Sequence, residues 1–461
     1  MDNRDDRNFA RREARRRRRK RAQILSFIVL LIFVLVVGIG AFFGMKQIVK
    51  YMENKKSQEL VEKQTEEIPT DVEISEPSTE EVAEETDDLD TLVDSNISGM
   101  SLEDKVAGLF MITPEALTDV GKAIQAGDGT KKALEQYPVG GLIYFEQNII
   151  DADQLKKMLA NTIMYSKYPL FMGVDEEGGK VARLGNSKLG VDKVDEAAAI
   201  GATGDSGKAY AATETIARYL AEYGFNLDFA PVADVVTNPE NEVIGTRSYS
   251  SDPEVVATMV QSAIEGLQDN RVSACMKHFP GLGDVSTDPH EETTATEKSL
   301  ADMRECDLIP YITGIEAGSD MIMISNMSAP QVTGDNTPCC MSGLVVSDVL
   351  RTELGYNGIV ITDAMNMKAI SDNYSSAEAA VQSIQAGVDI ILMPDNFKEA
   401  YQGVLDAVKA GTITEERIDE SLHRIYRVKY RESQNLDTEG SDTDTTEPET
   451  EPETETETTA E

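Results

Sequence analysis

The sequence predicts an α/β chain that closes into a (β/α)8 barrel, and three observations support that reading. Short apolar runs alternate with amphipathic segments through the middle of the chain, eight such runs occur, and charged residues gather just after several of them. A doubly wound sheet with a nucleotide site would want a G-x-G-x-x-G turn after its first strand, and none stands there. The barrel is therefore assigned to 99–435, with its chemistry at the carboxyl ends of the strands.

Strands are expected at 109–112, 141–145, 170–174, 227–230, 272–276, 321–324, 359–361 and 390–393. Between them, Asp252 as N-cap and Pro253 at the first helical position open a helix whose Val256, Val260, Ile264 and Leu267 share one face. Ile216, Tyr219, Leu220 and Tyr223 form a second stripe, which ends at Gly224 as a C′ residue. A last amphipathic stretch runs from Glu415 through Ile418, Leu422, Ile425 and Val428 and carries His423, which reads as structural or exposed.

Both ends of the 461-residue chain are compositionally abnormal. Residues 1–23 form a basic segment, with Arg11, Arg12 and the run 15–21, ahead of an uncharged apolar stretch over 24–45. About 20 apolar residues cross a bilayer, so this stretch reads as a transmembrane anchor longer than a signal peptide's apolar region. The positive-inside rule keeps the basic segment cytoplasmic and places the rest of the chain outside the cell membrane. Residues 46–98 read as an acidic, disordered stalk and 436–461 as an acidic, disordered tail. These segments supply much of the net charge of −39, which disfavours nucleic acid as a partner of the exported part.

Cys275, Cys306, Cys339 and Cys340 show neither metal-type spacing nor a disulfide framework. Cys275 reads as a small core residue on its strand.

Two of only three histidines fall in Lys277-His278-Phe279-Pro280-Gly281-Leu282-Gly283-Asp284 and the following Asp288-Pro289-His290. This segment follows the fifth strand and breaks into Gly and Pro where a strand would end. Other polar residues follow other strands: Asp175 and Arg183 after the third, Arg247 in the long connection after the fourth, Asp363 after the seventh. If the chain is a glycosidase, Asp363 suits a nucleophile, because a rigid strand end gives a carboxylate a defined direction; the rival reading is a helix N-cap. His290 has a free pKa of about 6.5, which suits a proton donor, and Asp288 could orient its ring. Two competing readings are a metal site on His278, Asp284, Asp288 and His290, which matches no zinc pattern, and a Schiff-base role for Lys277.

Together these residues resemble glycoside hydrolase family 3, in particular its bacterial single-barrel β-N-acetylglucosaminidases. Ser101-Leu102-Glu103-Asp104-Lys105 is similar to the family's opening helix, and Gly140-Gly141-Leu142-Ile143 to its second strand. Asp175-x-Glu177-Gly178-Gly179-x-Val181-x-Arg183 is similar to its sugar-binding segment. The resemblance implies that Asp175, Arg183, Arg247, Lys277 and His278 hold the sugar, that Asp363 is the nucleophile, and that the Asp288–His290 dyad replaces a glutamate acid/base. Leu282 and Asn326 stand where relatives often carry His, Pro289 where they often carry Ser, and Ala364 follows the nucleophile in place of a second acid.

The expected function is a retaining exo-β-N-acetylglucosaminidase acting on peptidoglycan fragments. The resemblance implies no metal and no organic cofactor, and a monomer is expected, held at the membrane by its anchor. Phosphorolysis, another family 3 β-glycosidase activity, and a non-catalytic wall-binding role are the alternatives.

Overall fold

The computed structural model of the chain describes residues 79–286 and 293–439. Eight parallel strands follow one another around a single sheet: β1 (Phe110–Ile112), β2 (Gly141–Ile143), β3 (Phe171–Val174), β4 (Leu227–Asp228), β5 (Ser273–Phe279), β6 (Met321–Ile324), β7 (Ile359–Thr362) and β8 (Ile391–Leu392). Phe110 pairs with Ile391, and a parallel bridge joins Ile361 to Ile390, so the sheet closes on itself. Each strand lies where an apolar run predicts one. All residues of β3, β6 and β7 are buried, as expected of strands covered by side chains within and helices without.

The helices begin and end where local chemistry dictates. Helix α2 (Ser206–Tyr223) stops at Gly224, whose φ of 100° lies in the left-handed region that favours glycine. Helix α3 (Pro253–Gln268) starts after Asp252, which accepts a hydrogen bond from the Glu254 amide. The two helices pack closely at Gly266, where a Cβ would stand 2.2 Å from Thr213 Oγ1 and 2.6 Å from the Tyr210 carbonyl oxygen.

One expectation needs correction. The end of the segment read as disordered stalk forms helix α1 (Thr79–Ser98), which buries Leu89, Val93 and Ile97 in the common core. These residues recur every four positions and make an apolar stripe that the acidic composition of the segment obscures. Asp90 on α1 pairs with Arg427 at 3.1 Å, and half-exposed His423 stands 3.7 Å from Asp90 and Asp94. Both partners lie on α4 (Glu415–Glu439), which continues past the boundary expected at 435. Among the described residues no helix is long and apolar enough to cross a membrane; the expected span 24–45 lies outside them, with the basic segment, the stalk to 78 and the tail beyond 439. All four cysteines are free, and Cys275 is fully buried on β5.

Candidate active site

Strand β3 delivers Asp175, and the chain then folds into a small hairpin of Glu176–Gly178 against Val181–Ala182. Successive residues of an extended segment face opposite ways. Asp175 and Glu177 accordingly line a cavity of about 390 Å³, while Glu176 turns into the layer behind the barrel. There its carboxylate accepts hydrogen bonds from the Leu184 and Gly185 amides and the Tyr219 hydroxyl at 2.7–2.8 Å. The Glu176 amide donates to Asp228 Oδ1 at 2.9 Å, pinning the hairpin to β4. The turn needs glycine: Gly179 has a φ of 53°, and a Cβ there would lie 2.4 Å from Glu196 Cβ. By reversing the chain it returns Arg183 to within 3.3 Å of Asp175.

Lys277, near the end of β5, reaches the same wall. Its Nζ lies 2.8 Å from Asp175 Oδ1 and 2.7 Å from Glu177 Oε1. Glu177 also accepts Nε and an Nη of Arg247 at 2.8 and 2.7 Å, a bidentate pair. The wall therefore reads Arg183, Asp175, Lys277, Glu177, Arg247 in alternating charge. Burial pushes both carboxyls up, but the cations outweigh it: Asp175 is held below its ordinary range and Glu177 at about 2. Burial pushes the Lys277 amine down, and its two carboxylates more than offset that, so the amine stays charged. An amine held as an ion-pair donor between two carboxylates suits hydrogen bonding better than the Schiff-base role considered for Lys277.

His278 lines the cavity beside Lys277, and the Lys277–His278 and Phe279–Pro280 peptide bonds are cis. Asp234 fixes the imidazole: its Oδ2 lies 2.8 Å from Nδ1, while its Oδ1 accepts the amides of His278 and Leu282 at 3.3 and 2.7 Å. With the Asp234 carboxylate on Nδ1, that nitrogen carries the proton and Nε2 is left for a ligand.

Asp363 follows β7 and is 6% exposed at the same cavity. Its amide donates to the Ile324 carbonyl at 2.8 Å, which locks it to β6. Its Oδ1 accepts only the adjacent Ala364 amide, at 2.7 Å, and no ion pair reaches it among the described residues. The next helix, Lys368–Ser371, is preceded by Met367, so Asp363 caps no helix and the rival reading falls.

The structure thus brings Asp175, Arg183, Arg247, Lys277, His278 and Asp363 to one cavity. Asp288 and His290 lie outside the described residues. On the described flanks, Asp284 accepts the Thr296 hydroxyl at 2.5 Å and the Ser328 amide donates to the Thr294 carbonyl at 2.9 Å. Among the described residues no group of three or more His, Cys, Asp or Glu side chains could hold a metal. Two residues of the site were given no role from sequence, although Glu177 stands within the quoted motif. Glu177 stands two positions after Asp175, and strand alternation could have marked it. Asp234 carries no local signal, since its partner is 44 positions away in the chain.

A model of the glycosyl hydrolase family 3 N-terminal domain matches residues 101–428. The chain belongs to this family. It is 31% identical to "Beta-hexosaminidase A" of Pseudoalteromonas piscicida over 64% of its own length and 54% of that protein's, so it spans about half of that relative. It is 35% identical to "Beta-hexosaminidase LpqI" of Mycobacterium tuberculosis, covering 72% of this chain and 83% of that one. The solved structure of a glycoside hydrolase family 3 β-N-acetylglucosaminidase from Paenibacillus sp. str. FPU-7 superposes with a TM-score of 0.69 at 36% identity, over 73% of this chain and 64% of the other. Against the family pattern noted above, Leu282 contributes an apolar patch to the cavity wall. Asn326 is buried, donates to the Ala364 carbonyl at 2.8 Å and lies 3.2 Å from Cys340 Sγ, so it braces the loop after Asp363.

Proposed function

We propose that this family 3 chain is a retaining exo-β-N-acetylglucosaminidase that releases terminal N-acetylglucosamine from peptidoglycan fragments. The observation that carries the reading is Asp363, a carboxylate with no cation partner among the described residues, held after β7 at a cavity whose lining also bears paired hydrogen-bonding groups. The hexosaminidase and β-N-acetylglucosaminidase relatives support the substrate class.

Asp363 attacks the anomeric carbon, forming a C–O bond as the bond to the leaving oxygen breaks. His290, oriented by Asp288, gives the leaving oxygen its proton. In the second step His290 takes a proton from water, whose oxygen displaces Asp363 and restores the starting configuration. Asp175 and the Nε2 of His278 take sugar hydroxyls, while Lys277, Arg183 and Arg247 donate to ring substituents. The apolar stretch 24–45 anchors the enzyme in the cell membrane with the barrel outside.

A substrate panel tests the reading. The 4-nitrophenyl β-N-acetylglucosaminide is expected to turn over at least tenfold faster than the glucoside and xyloside, at a rate that added phosphate leaves unchanged. Equal rates on all three overturn the N-acetylglucosamine assignment, and phosphate-dependent release overturns hydrolysis.

A further inference from the structure

Glu177 is the most heavily engaged carboxylate of the cavity wall. It binds both nitrogens of one edge of Arg247 and shares Lys277 with Asp175, and its side chain is 6% exposed. The first Nη of Arg247 donates to the Val243 carbonyl at 3.1 Å, so the guanidinium is held from two directions. A guanidinium recognises a carboxylate through a two-nitrogen edge. On Arg247 the Nε–Nη edge is taken by Glu177, which also neutralises the guanidinium charge, and one N–H on each Nη remains for a hydroxyl or an amide carbonyl. Lys277, between two carboxylates, likewise has no unneutralised charge to offer an anion.

We propose that Glu177 is a positioning and specificity-determining residue: it aims Arg247 and Lys277 at a neutral sugar and closes the cavity to anionic ones. This deepens the N-acetylglucosamine reading and rests on it. Without the Glu177 charge the cavity would hold Arg183, Lys277 and Arg247 against Asp175 and Asp363, an excess of positive charge, and Arg247 would lose its carboxylate partner. The carboxylate of a uronic acid would then meet an unneutralised cation.

Calorimetric titration of the full chain with N-acetylglucosamine and with glucuronic acid separates this role from a merely structural one, because binding is read without turnover. The wild-type chain should bind N-acetylglucosamine and exclude glucuronate. Glu177→Gln should weaken N-acetylglucosamine at least tenfold and gain glucuronate binding. Glu177→Asp, which keeps the charge but shortens the reach, should weaken N-acetylglucosamine without admitting glucuronate. The proposal is overturned if Glu177→Gln binds both sugars as the wild type does, if it loses N-acetylglucosamine without gaining glucuronate, or if the wild type already takes both. Should Glu177→Gln fail to fold, unchanged N-acetylglucosamine affinity in Glu177→Asp overturns it alone. If the wild-type chain hydrolyses no glycoside yet the switch in sugar preference appears, the hydrolase reading fails and this inference stands.

Discussion

Buried carboxylates meet arginines and lysines at both ends of the barrel, and the two ends use them differently. At the amino-terminal end, Asp389 is fully buried and accepts hydrogen bonds from Arg351, Arg424, Ser421 and the Val360 amide. Asp320 there holds Arg431 and Ser273. These contacts tie α4 to the strands, and each carboxylate has its cation. At the carboxyl end, Asp175 and Glu177 are just as fully paired, yet they line a cavity with Asp363, which has no cation among the described residues. An ion pair by itself therefore does not mark a reactive site. What sets the carboxyl end apart is Asp363, a carboxylate at the cavity with no cation beside it among the described residues.

Four measurements would break or sharpen that contrast. The largest effect belongs to Asp363→Ala, which should reduce turnover of an N-acetylglucosaminide on the order of 10³-fold or more while leaving the melting temperature nearly unchanged. Wild-type kinetics would remove Asp363 from the chemistry. Asp389→Asn should do the reverse. By leaving Arg351, Arg417 and Arg424 without their carboxylate it should destabilise the fold by about 3–5 kcal/mol in urea unfolding and leave KM unaltered.

Acid titration gives a smaller effect with a defined sign. The Glu177 carboxyl sits at about 2 in the fold against an ordinary value of 4.5, so the unfolded chain takes up the proton first. Its contribution to stability is present above pH 4.5 and is lost as pH falls towards about 2. Acid unfolding followed by circular dichroism should show a shallower loss over that window in Glu177→Gln; identical curves would mean that the wall cations do not act on Glu177. The smallest effect is expected at the exposed Arg304–Glu353 pair, where Arg304→Ala should change stability by less than about 1 kcal/mol. A larger loss there would show that surface pairing contributes more than either barrel end suggests.

Much of this architecture was legible in the residues themselves. The eight strands could be read because each is apolar over several consecutive positions, the consequence of burial on both faces. Caps such as Asp252 and Gly224 could be read because their interactions close within a few residues. Position after the strands also picked out Asp175, Arg247, Lys277, His278 and Asp363, and motif likeness gave Arg183 its role. Helix α1 escaped because its apolar stripe is diluted by acidic neighbours, and a stripe is stabilised only by the surface it meets.

The sequence by itself determined the strand count, the capped ends of helices such as α2 and α3, and which polar side chains stand near strand ends, because those depend on local pattern and chain direction. Only the tertiary structure decided which charges neutralise one another. Asp234 meets His278, and Glu177 meets both Lys277 and Arg247, across separations of 44 to 100 positions that no local pattern encodes. The same closure that fixes these pairs leaves Asp363 without a cation among the described residues, since barrel geometry sets which strand-end charges come within reach of one another.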